Sequence, residues 1–535
     1  MARRAKKSGG IAFHHPLAFW AGCATVIAGV VAHLPMFAMA APLHYRLAGM
    51  PMDNAMRVGM ALIPLGVLLA AFGLMPRIEQ MRRTLHGGDH VHFHVADGLP
   101  LKREHWKLIV VLIVALAVDV MKPATLGFVI PGMASEYDIA KSTAGYLALS
   151  ALIGTTVGSI VWGRLADVFG RRSAILLSAI LFMGTSICGA MPVFAWNLAM
   201  CFMMGAAAGG MLPIAFTLMA ETIPAAHRGW LLVALGGIGT SAGYLLASGA
   251  ATVFEPVFSW RALWLLNLPT GALIVFLNRY IPESPRFLAN AGLNDEARAV
   301  LQRFSDASES SLPDEIDRVV EAHHPVGELR ELLRGRHARI TWGLALCGVA
   351  WGLVNFGFLL WLPANLDLIG IDPQATNLLL AKSAVFALPG IGVVVWLYQR
   401  WSSIRALVLL IALTVFSLLA FFAIDALGLR STAATIVAAV ALLSSVSGVI
   451  ATLIPYATEI YPVHLRGTGS GLIAASSKAG GILGAVFGVA GLFGHIMLSA
   501  IVIALPMVAA GFMLARNGIE TRGYRLEEIQ LALSE

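Results

Sequence analysis

Charge is the scarcest ingredient of this sequence. Only 13% of its 535 residues are charged, while 58% are hydrophobic. Soluble domains carry about 25% charged and about 45–50% apolar residues. A string of water-facing domains of this length would need far more charge, so that architecture is excluded. Cysteine is scarce as well. Cys23, Cys188, Cys201 and Cys347 all lie in apolar runs. None has metal-ligand or redox spacing, so they read as buried thiols, and no metal or cofactor is expected. Strict alternation of apolar and polar residues is missing too, which argues against a membrane β-barrel.

What is present is a series of apolar runs of about 20 residues, the length that spans a bilayer core as a helix. About fourteen such runs can be placed in the sequence. Two come early, near 16–41 and 57–76. Six follow a polar gap, near 106–131, 142–162, 173–192, 195–220, 229–254 and 260–281. A charged segment occupies 282–337. Six more lie near 338–363, 376–397, 404–424, 431–457, 467–492 and 494–516. The fold class is therefore an all-α polytopic membrane protein. Its expected parts are an extension (1–105), a six-helix bundle (106–281), a linker (282–337), a second six-helix bundle (338–516) and a tail (517–535). Segment 294–304 reads as a helix in the linker, with Asn294 as N-cap.

The formal net charge is +7. In a soluble protein that excess would suggest nucleic acid as a partner; here it records orientation. With a cytoplasmic N-terminus, roughly 29 of the 37 Lys and Arg fall on the cytoplasmic side, the bias that membrane insertion favours. Both termini are then expected in the cytoplasm. Ala38-Met39-Ala40 resembles a signal-peptidase site, but the apolar run before it is long and holds His33 and Pro35, which favours a retained helix. The segment HGGDHVHFH places His86, His90, His92 and His94 together before the third span. It reads as a solvated linker, with zinc, nickel or copper binding as the alternative.

The sequence is duplicated. Glu221-Thr-Ile-Pro224-Ala-Ala-His-Arg228-Gly229 matches Glu459-Ile-Tyr-Pro462-Val-His-Leu-Arg466-Gly467. Both segments join the fourth and fifth spans of a six-span set. Pro282-Glu283-Ser284-Pro285-Arg286 and Glu520-Thr521-Arg522-Gly523 follow the sixth span of each set. Such repeats suggest a pseudo-symmetric transporter with its site between the halves.

Within spans, ionisable residues are costly and are functional candidates by default. Asp119 sits about 20 Å deep at about 1.5 Å per residue, and Lys122, three residues on, shares its helix face. Pro123 cannot donate to the Asp119 carbonyl, so the helix is expected to weaken there. Lys478 lies about 18 Å deep from the same, cytoplasmic, side, and Lys382 about seven residues into its span from the outside. Asp119 could carry a proton, because burial and Lys122 pull its carboxyl in opposite directions. It could equally form a structural pair with Lys122, and Lys382 could snorkel to the interface.

The segment Gly163-Arg164-Leu165-Ala166-Asp167-Val168-Phe169-Gly170-Arg171-Arg172 resembles the signature loop of the major facilitator superfamily. The PESPRFL (282–288) and ETRGYRLEEI (520–529) segments and the paired E-x-x-P-x-x-x-R-G motifs are similar to its sugar-porter, organic-ion and metabolite:proton symporter branches. The resemblance spans roughly 106–530, leaving the two early spans as additions. It implies a monomer working by alternating access, not an enzyme. It also implies a cytoplasmic gate built from Gly163, Arg164, Asp167, Gly170, Arg171, Arg172, Glu221, Arg228, Glu283, Arg286, Glu459 and Arg466. By the same resemblance Asp119, Lys122, Asn355, Trp361, Lys382 and Lys478 border one cavity, and a lysine at 478 is what organic-anion members carry. The fifth core helix lacks the Gly-Pro pair of antiporters, and the sugar-porter glutamines are absent from the seventh. The expected function is proton-coupled uptake of a small organic anion across the cytoplasmic (inner) membrane. Sugar or neutral-solute symport, export and a transporter-like sensor remain alternatives.

Overall fold

The computed structural model describes residues 15–74, 101–290, 294–304, 332–333, 335–368, 372–428, 431–461, 463–492 and 496–521. The histidine-rich segment 86–94 and residues 522–535 lie outside the described residues. Fourteen helices are long and apolar enough to cross a bilayer, and no strand occurs among the described residues. In chain order they are α1 (Pro16–Met39), α2 (Asn54–Leu74), α3 (Arg103–Tyr137), α4 (Lys141–Ala166), α5 (Arg171–Ala190), α6 (Phe194–Thr222) and α7 (His227–Phe258). They continue as α8 (Arg261–Tyr280), α9 (Ala338–Leu366), α10 (Pro373–Arg400), α11 (Ser403–Ala426), α12 (Thr432–Ile460), α13 (Gly469–Val489) and α14 (Met497–Asn517).

Helices α3–α8 form one bundle and α9–α14 the other. Each bundle packs its fifth helix against its first through a pair of glycines four apart. Gly239 and Gly243 of α7 meet Leu116 and Val120 of α3; Gly480 and Gly484 of α13 meet Val349 and Gly357 of α9. Without a side chain at these positions the backbones approach closely, which is how helices associate in lipid, where burial of apolar surface supplies no net drive. The two bundles meet where α7 lies on α10 and α12, and where α4 lies on α13. Between the bundles, the helix Asn294–Phe304 docks under the start of α3. There Arg303 Nε donates to Glu104 at 3.1 Å, and the His105 and Phe304 rings are 4.9 Å apart.

α3 runs through Pro123 and Pro131 as one helix, so any weakening at Pro123 stops short of a break. A departure from α geometry occurs instead in α9, where Val354–Leu359 forms a π-helical segment. Such wide turns are rare and concentrate at functional sites.

The two early helices form a hairpin that belongs to the first bundle. Gly22 and Gly29 of α1 face Gly59, Gly66 and Gly73 of α2, each seven residues from the next. A Cβ on Gly22 would lie 2.5 Å from the Ala70 nitrogen, and one on Gly66 2.7 Å from the Gly22 carbonyl oxygen. The hairpin leans on α5. Its connecting turn, with His44 and Tyr45 at φ of 52° and 60°, crosses the end of α3. There the Leu47 and Ala48 amides donate to Glu136 Oε1 at 2.7 and 3.1 Å. Glu136 also holds Arg261 Nη2 at 2.7 Å and Trp260 Nε1 at 2.9 Å. This buried pair ties α3, α8 and the hairpin turn into one unit.

Gly66→Leu forces backbone atoms of α1 and α2 apart and should destabilise the protein by about 1–3 kcal/mol, the usual cost of overpacking. Gly392→Leu, at a glycine with open space around it, should leave stability within error. Thermal unfolding in detergent checks both.

Candidate translocation site and gate

Between the bundles, half-way along the helices, lies a cavity of about 190 Å³. The wall is mostly apolar, with α3, α4, α6, α7, α9, α12 and α13 contributing. Its charged groups are Asp119 and Lys122 from α3 and Lys478 from α13. The three-residue spacing on one helix brings the first two together. Lys122 Nζ donates to Asp119 Oδ1 at 3.1 Å and sits 3.9 Å over the Phe182 ring of α5. Lys122 is fully buried and Asp119 nearly so. A carboxylate on one side and an aromatic face on the other are what an ammonium removed from water needs. Lys478 differs. It interacts electrostatically with Asp119 across the cavity but has no hydrogen-bond or ion-pair partner among the described residues. Asn355, in the π-helical turn of α9, also lines the wall, as do Tyr244 and Trp351.

Two expected cavity residues point elsewhere. Lys382 is exposed on the outside of α10, beside Val385 and Phe386, which are 50% and 61% exposed. Residues three and four apart share a helix face, and this one is the lipid-facing face rather than the cavity face. Trp361 is buried, one residue past the last cavity position of α9. Its ring wedges between Gly145 of α4 and Gly488 of α13. It therefore belongs to the seam that closes the cavity on the face away from the inter-bundle linker. Along the same seam the backbone of Leu360 lies on Gly127, where a Cβ would be 2.5 Å from its carbonyl oxygen. Asn377 Nδ2 of α10 donates to Glu255 Oε2 of α7 at 2.6 Å.

The linker-side face carries the signature residues. Beyond α4 the helix runs on to Phe169 and is capped by Gly170, whose φ of +96° suits glycine and whose missing side chain makes room for Glu283. Glu283 Oε1 accepts from the Arg171 amide at 2.7 Å, the Arg172 amide at 3.4 Å and the Ser284 amide at 3.0 Å. It caps the N-terminus of α5, where unpaired amides and the helix dipole favour a carboxylate. Arg171 reaches Glu221 at 3.6 Å and the Ala166 carbonyl at 3.2 Å. Arg172 Nη2 donates to Asn278 at 2.8 Å, and Arg228 donates to the Ile223 carbonyl at 3.2 Å. Gly163 has open space around it and Arg164 is exposed. The side chains of Asp167, Arg286 and Arg466 lie outside the described residues.

The sequence profile of the Major Facilitator Superfamily matches residues 108–485. The chain belongs to this superfamily. Its relatives include the niacin transporter of Acinetobacter baylyi, 27% identical over 446 residues, covering 81% of this chain and 98% of that protein. Another is the 4-hydroxybenzoate transporter of Pseudomonas putida, 26% identical over 404 residues, covering 72% of this chain and 86% of that protein. Among solved structures, the proton:xylose symporter XylE bound to 6-bromo-6-deoxy-D-glucose superposes with a TM-score of 0.65 at 18% identity, covering 80% of this chain and 99% of that one. The protein is thus a multi-pass secondary transporter for a small molecule. Relative to the twelve-helix core of the superfamily, α1 and α2 are an added pair.

The second bundle of this superfamily member repeats the cap with different donors. Glu520 Oε1 accepts from the Ser403 amide at 3.0 Å and its hydroxyl at 2.7 Å, and Glu520 also contacts the Ser402 hydroxyl. Glu459 Oε2 accepts from Tyr398 at 2.8 Å and Thr521 at 2.7 Å. Tyr398, Ser402, Ser403 and Thr521 have no counterpart in the arginine-rich first-bundle motif, so sequence reading passed over them. The signal that could have found them was the matching position of Glu283 and Glu520.

Burial pushes the Glu283 carboxyl up from 4.5 to about 7, against the pull of its amide donors and Arg171. A carboxyl raised by folding takes up a proton as the chain folds. Its contribution is present below about 4.5 and is lost as pH rises through about 7. Wild type should therefore lose stability relative to Glu283→Gln over that window, by on the order of 3 kcal/mol. Thermal melts of both proteins across the pH range measure the difference.

Proposed function

We propose that the protein is a proton-coupled importer of small organic anions, and that its substrates are single-ring monocarboxylates. The observation that carries this reading is Lys478. Among the described residues it is a cation without a direct partner, in a mostly apolar cavity whose other two charges already satisfy each other. A substrate carboxylate is the missing counter-charge. The cavity size agrees with one ring: an apolar cavity of about 150 Å³ accepts benzene, and this one is about 190 Å³. The names of the relatives, niacin and 4-hydroxybenzoate transporters, describe cargo of that chemistry.

Asp119 is the proposed proton carrier. With Asp119 ionised and the site empty, Asp119, Lys122 and Lys478 sum to one positive charge. Protonating Asp119 and adding a monoanion leaves that sum unchanged. Loaded and empty cavities then cross the low-dielectric centre with the same net charge, which a one-to-one proton and anion cycle requires. The far-face seam is closed while cavity residues such as Pro213, Ile454 and Ala474 continue toward the linker-side half. Taking the arginine-rich linker side as cytoplasmic, this is an inward-facing arrangement in the cell's inner membrane, with both termini in the cytoplasm. Glu221, Arg228, Glu283 and the signature arginines would then gate the cytoplasmic mouth.

Uptake of labelled carboxylates, sugars and amines into proteoliposomes, with and without an inward proton gradient, tests the reading. Aromatic carboxylate uptake should depend on the gradient in wild type and lose that dependence in Asp119→Asn. Lys478→Ala should weaken carboxylate binding about 10- to 100-fold, the worth of a charged hydrogen bond. Gradient-driven uptake that survives Asp119→Asn intact would remove the carrier assignment. Unchanged carboxylate affinity in Lys478→Ala would remove the anion assignment.

A further inference from the structure

Among the described intramembrane carboxylates, Glu255 lacks a cationic partner. Asp119 has Lys122 and Glu136 has Arg261. Glu255, three residues from the end of α7, has the neutral amide of Asn377 alone. Among the described residues, no charged side chain of the packed elements reaches it. On α3 and α8, Glu136 and Arg261 are taken up by each other. On α10, Asp372 caps its own helix through the Gln374 and Ala375 amides, and Lys382 is exposed. On α12, Glu459 lies at the opposite end and is held by Tyr398. The Thr376 hydroxyl, next to Asn377, is buried without a hydrogen-bond partner.

The location matters as much as the chemistry. Asn377 and Glu255 come from different bundles, so their 2.6 Å bond crosses the seam that closes the cavity on the far face. An ionised carboxylate held in such a seam by an amide alone loses much of its hydration and gains no counter-charge. A protonated one keeps the carbonyl oxygen as acceptor for Asn377 Nδ2 and adds an O–H donor. Closing the seam therefore favours the acid form, and opening it to water favours the carboxylate.

We infer that Glu255 is a second proton-binding site, a carboxyl latch whose protonation closes the far-face seam with Asn377 and whose ionisation releases it. The latch is separate from the cavity pair, so it stands whether or not Asp119 carries the coupled proton. It gives the transporter a way to sense pH on the far side before any cargo arrives. It also sets an order: the latch takes its proton as the seam shuts behind the substrate.

Spin labels report on it directly. Tyr146→Cys on α4 and Gln374→Cys on α10 place labels at exposed positions on opposite sides of the seam. Their distance distribution is measured on the full-length protein in nanodiscs under acid and alkaline conditions, at about pH 5.5 and about pH 8.5. The open population should rise roughly tenfold at the higher pH, the size of effect that one hydrogen bond provides. In Glu255→Gln, whose amide mimics the acid form, the seam should stay closed at both pH values. In Asn377→Ala it should be more open already at low pH. In Asp119→Asn the pH response should persist. A pH response that is unchanged in Glu255→Gln overturns the latch, as does one that disappears in Asp119→Asn alone. Neither of those outcomes bears on carboxylate binding at Lys478, which is read by affinity.

Discussion

A charge placed in a bilayer-spanning helix needs a partner, because lipid offers none. That constraint organises this molecule. Asp119 and Lys122 answer each other within one helix, at 3.1 Å. Glu136 and Arg261 answer each other between helices, at 2.7 Å. Each satisfied pair fixes something: the first sets the polar floor of the cavity, and the second ties the added hairpin to the first bundle. The groups left over, Lys478 in the cavity and Glu255 at the seam, are where another charge or a proton has work to do. Function in this protein is proposed where the pairing is incomplete.

Close packing supplies the complementary constraint. Within each bundle, glycines four residues apart let the fifth helix press on the first, Gly239 and Gly243 in one half and Gly480 and Gly484 in the other. In the second half the approach is backbone to backbone, Gly480 on Val349 and Gly484 on Gly357, and in the first the glycines seat the side chains of Leu116 and Val120; both are close seams that deform little. Between the bundles, Trp361 of the second meets Gly145 of the first, the amide of Asn377 meets Glu255, and the Leu360 backbone lies on Gly127; all of these contacts can part without breaking a helix. Rigid halves joined by separable contacts are what alternating access by rocking requires. α1 and α2 strengthen one side of that division, since their heptad glycines hold them to each other and the turn on Glu136 binds the pair to the first bundle.

Periodicity and chemistry made the helices, the two halves and the Asp119–Lys122 contact legible in the sequence. A run of about 20 apolar residues reads as a span, and a spacing of three puts two side chains together whatever surrounds the helix. Azimuth was not legible. Depth could be counted for Lys382 and Trp361, but which face of α10 or α9 meets the cavity depends on where the neighbouring helices lie. Hidden for the same reason were the contacts of Glu255 with Asn377 and Glu136 with Arg261. Their partners are more than 120 residues apart and carry no motif. The π-helical turn at Val354–Leu359 had no sequence signal beyond Gly357, and a lone glycine is too common to mark one.

The two caps show what duplication preserves and what it releases. In each half, a glutamate just past the sixth helix holds the N-terminus of the third, Glu283 on α5 and Glu520 on α11. That bond satisfies helix amides that both halves must satisfy, so the geometry recurs. The surroundings do not. Glu283 sits beside Arg171 and Arg172, whereas Glu520 is met by the hydroxyls of Ser402 and Ser403. Arginines beside a carboxylate add a coulombic attraction to the amide hydrogen bonds. Hydroxyls contribute hydrogen bonds to the carboxylate without bringing a formal charge of their own. A shared cap thus fixes the start of the third helix in both halves, and once those amides are satisfied the side chains around each cap are free to diverge.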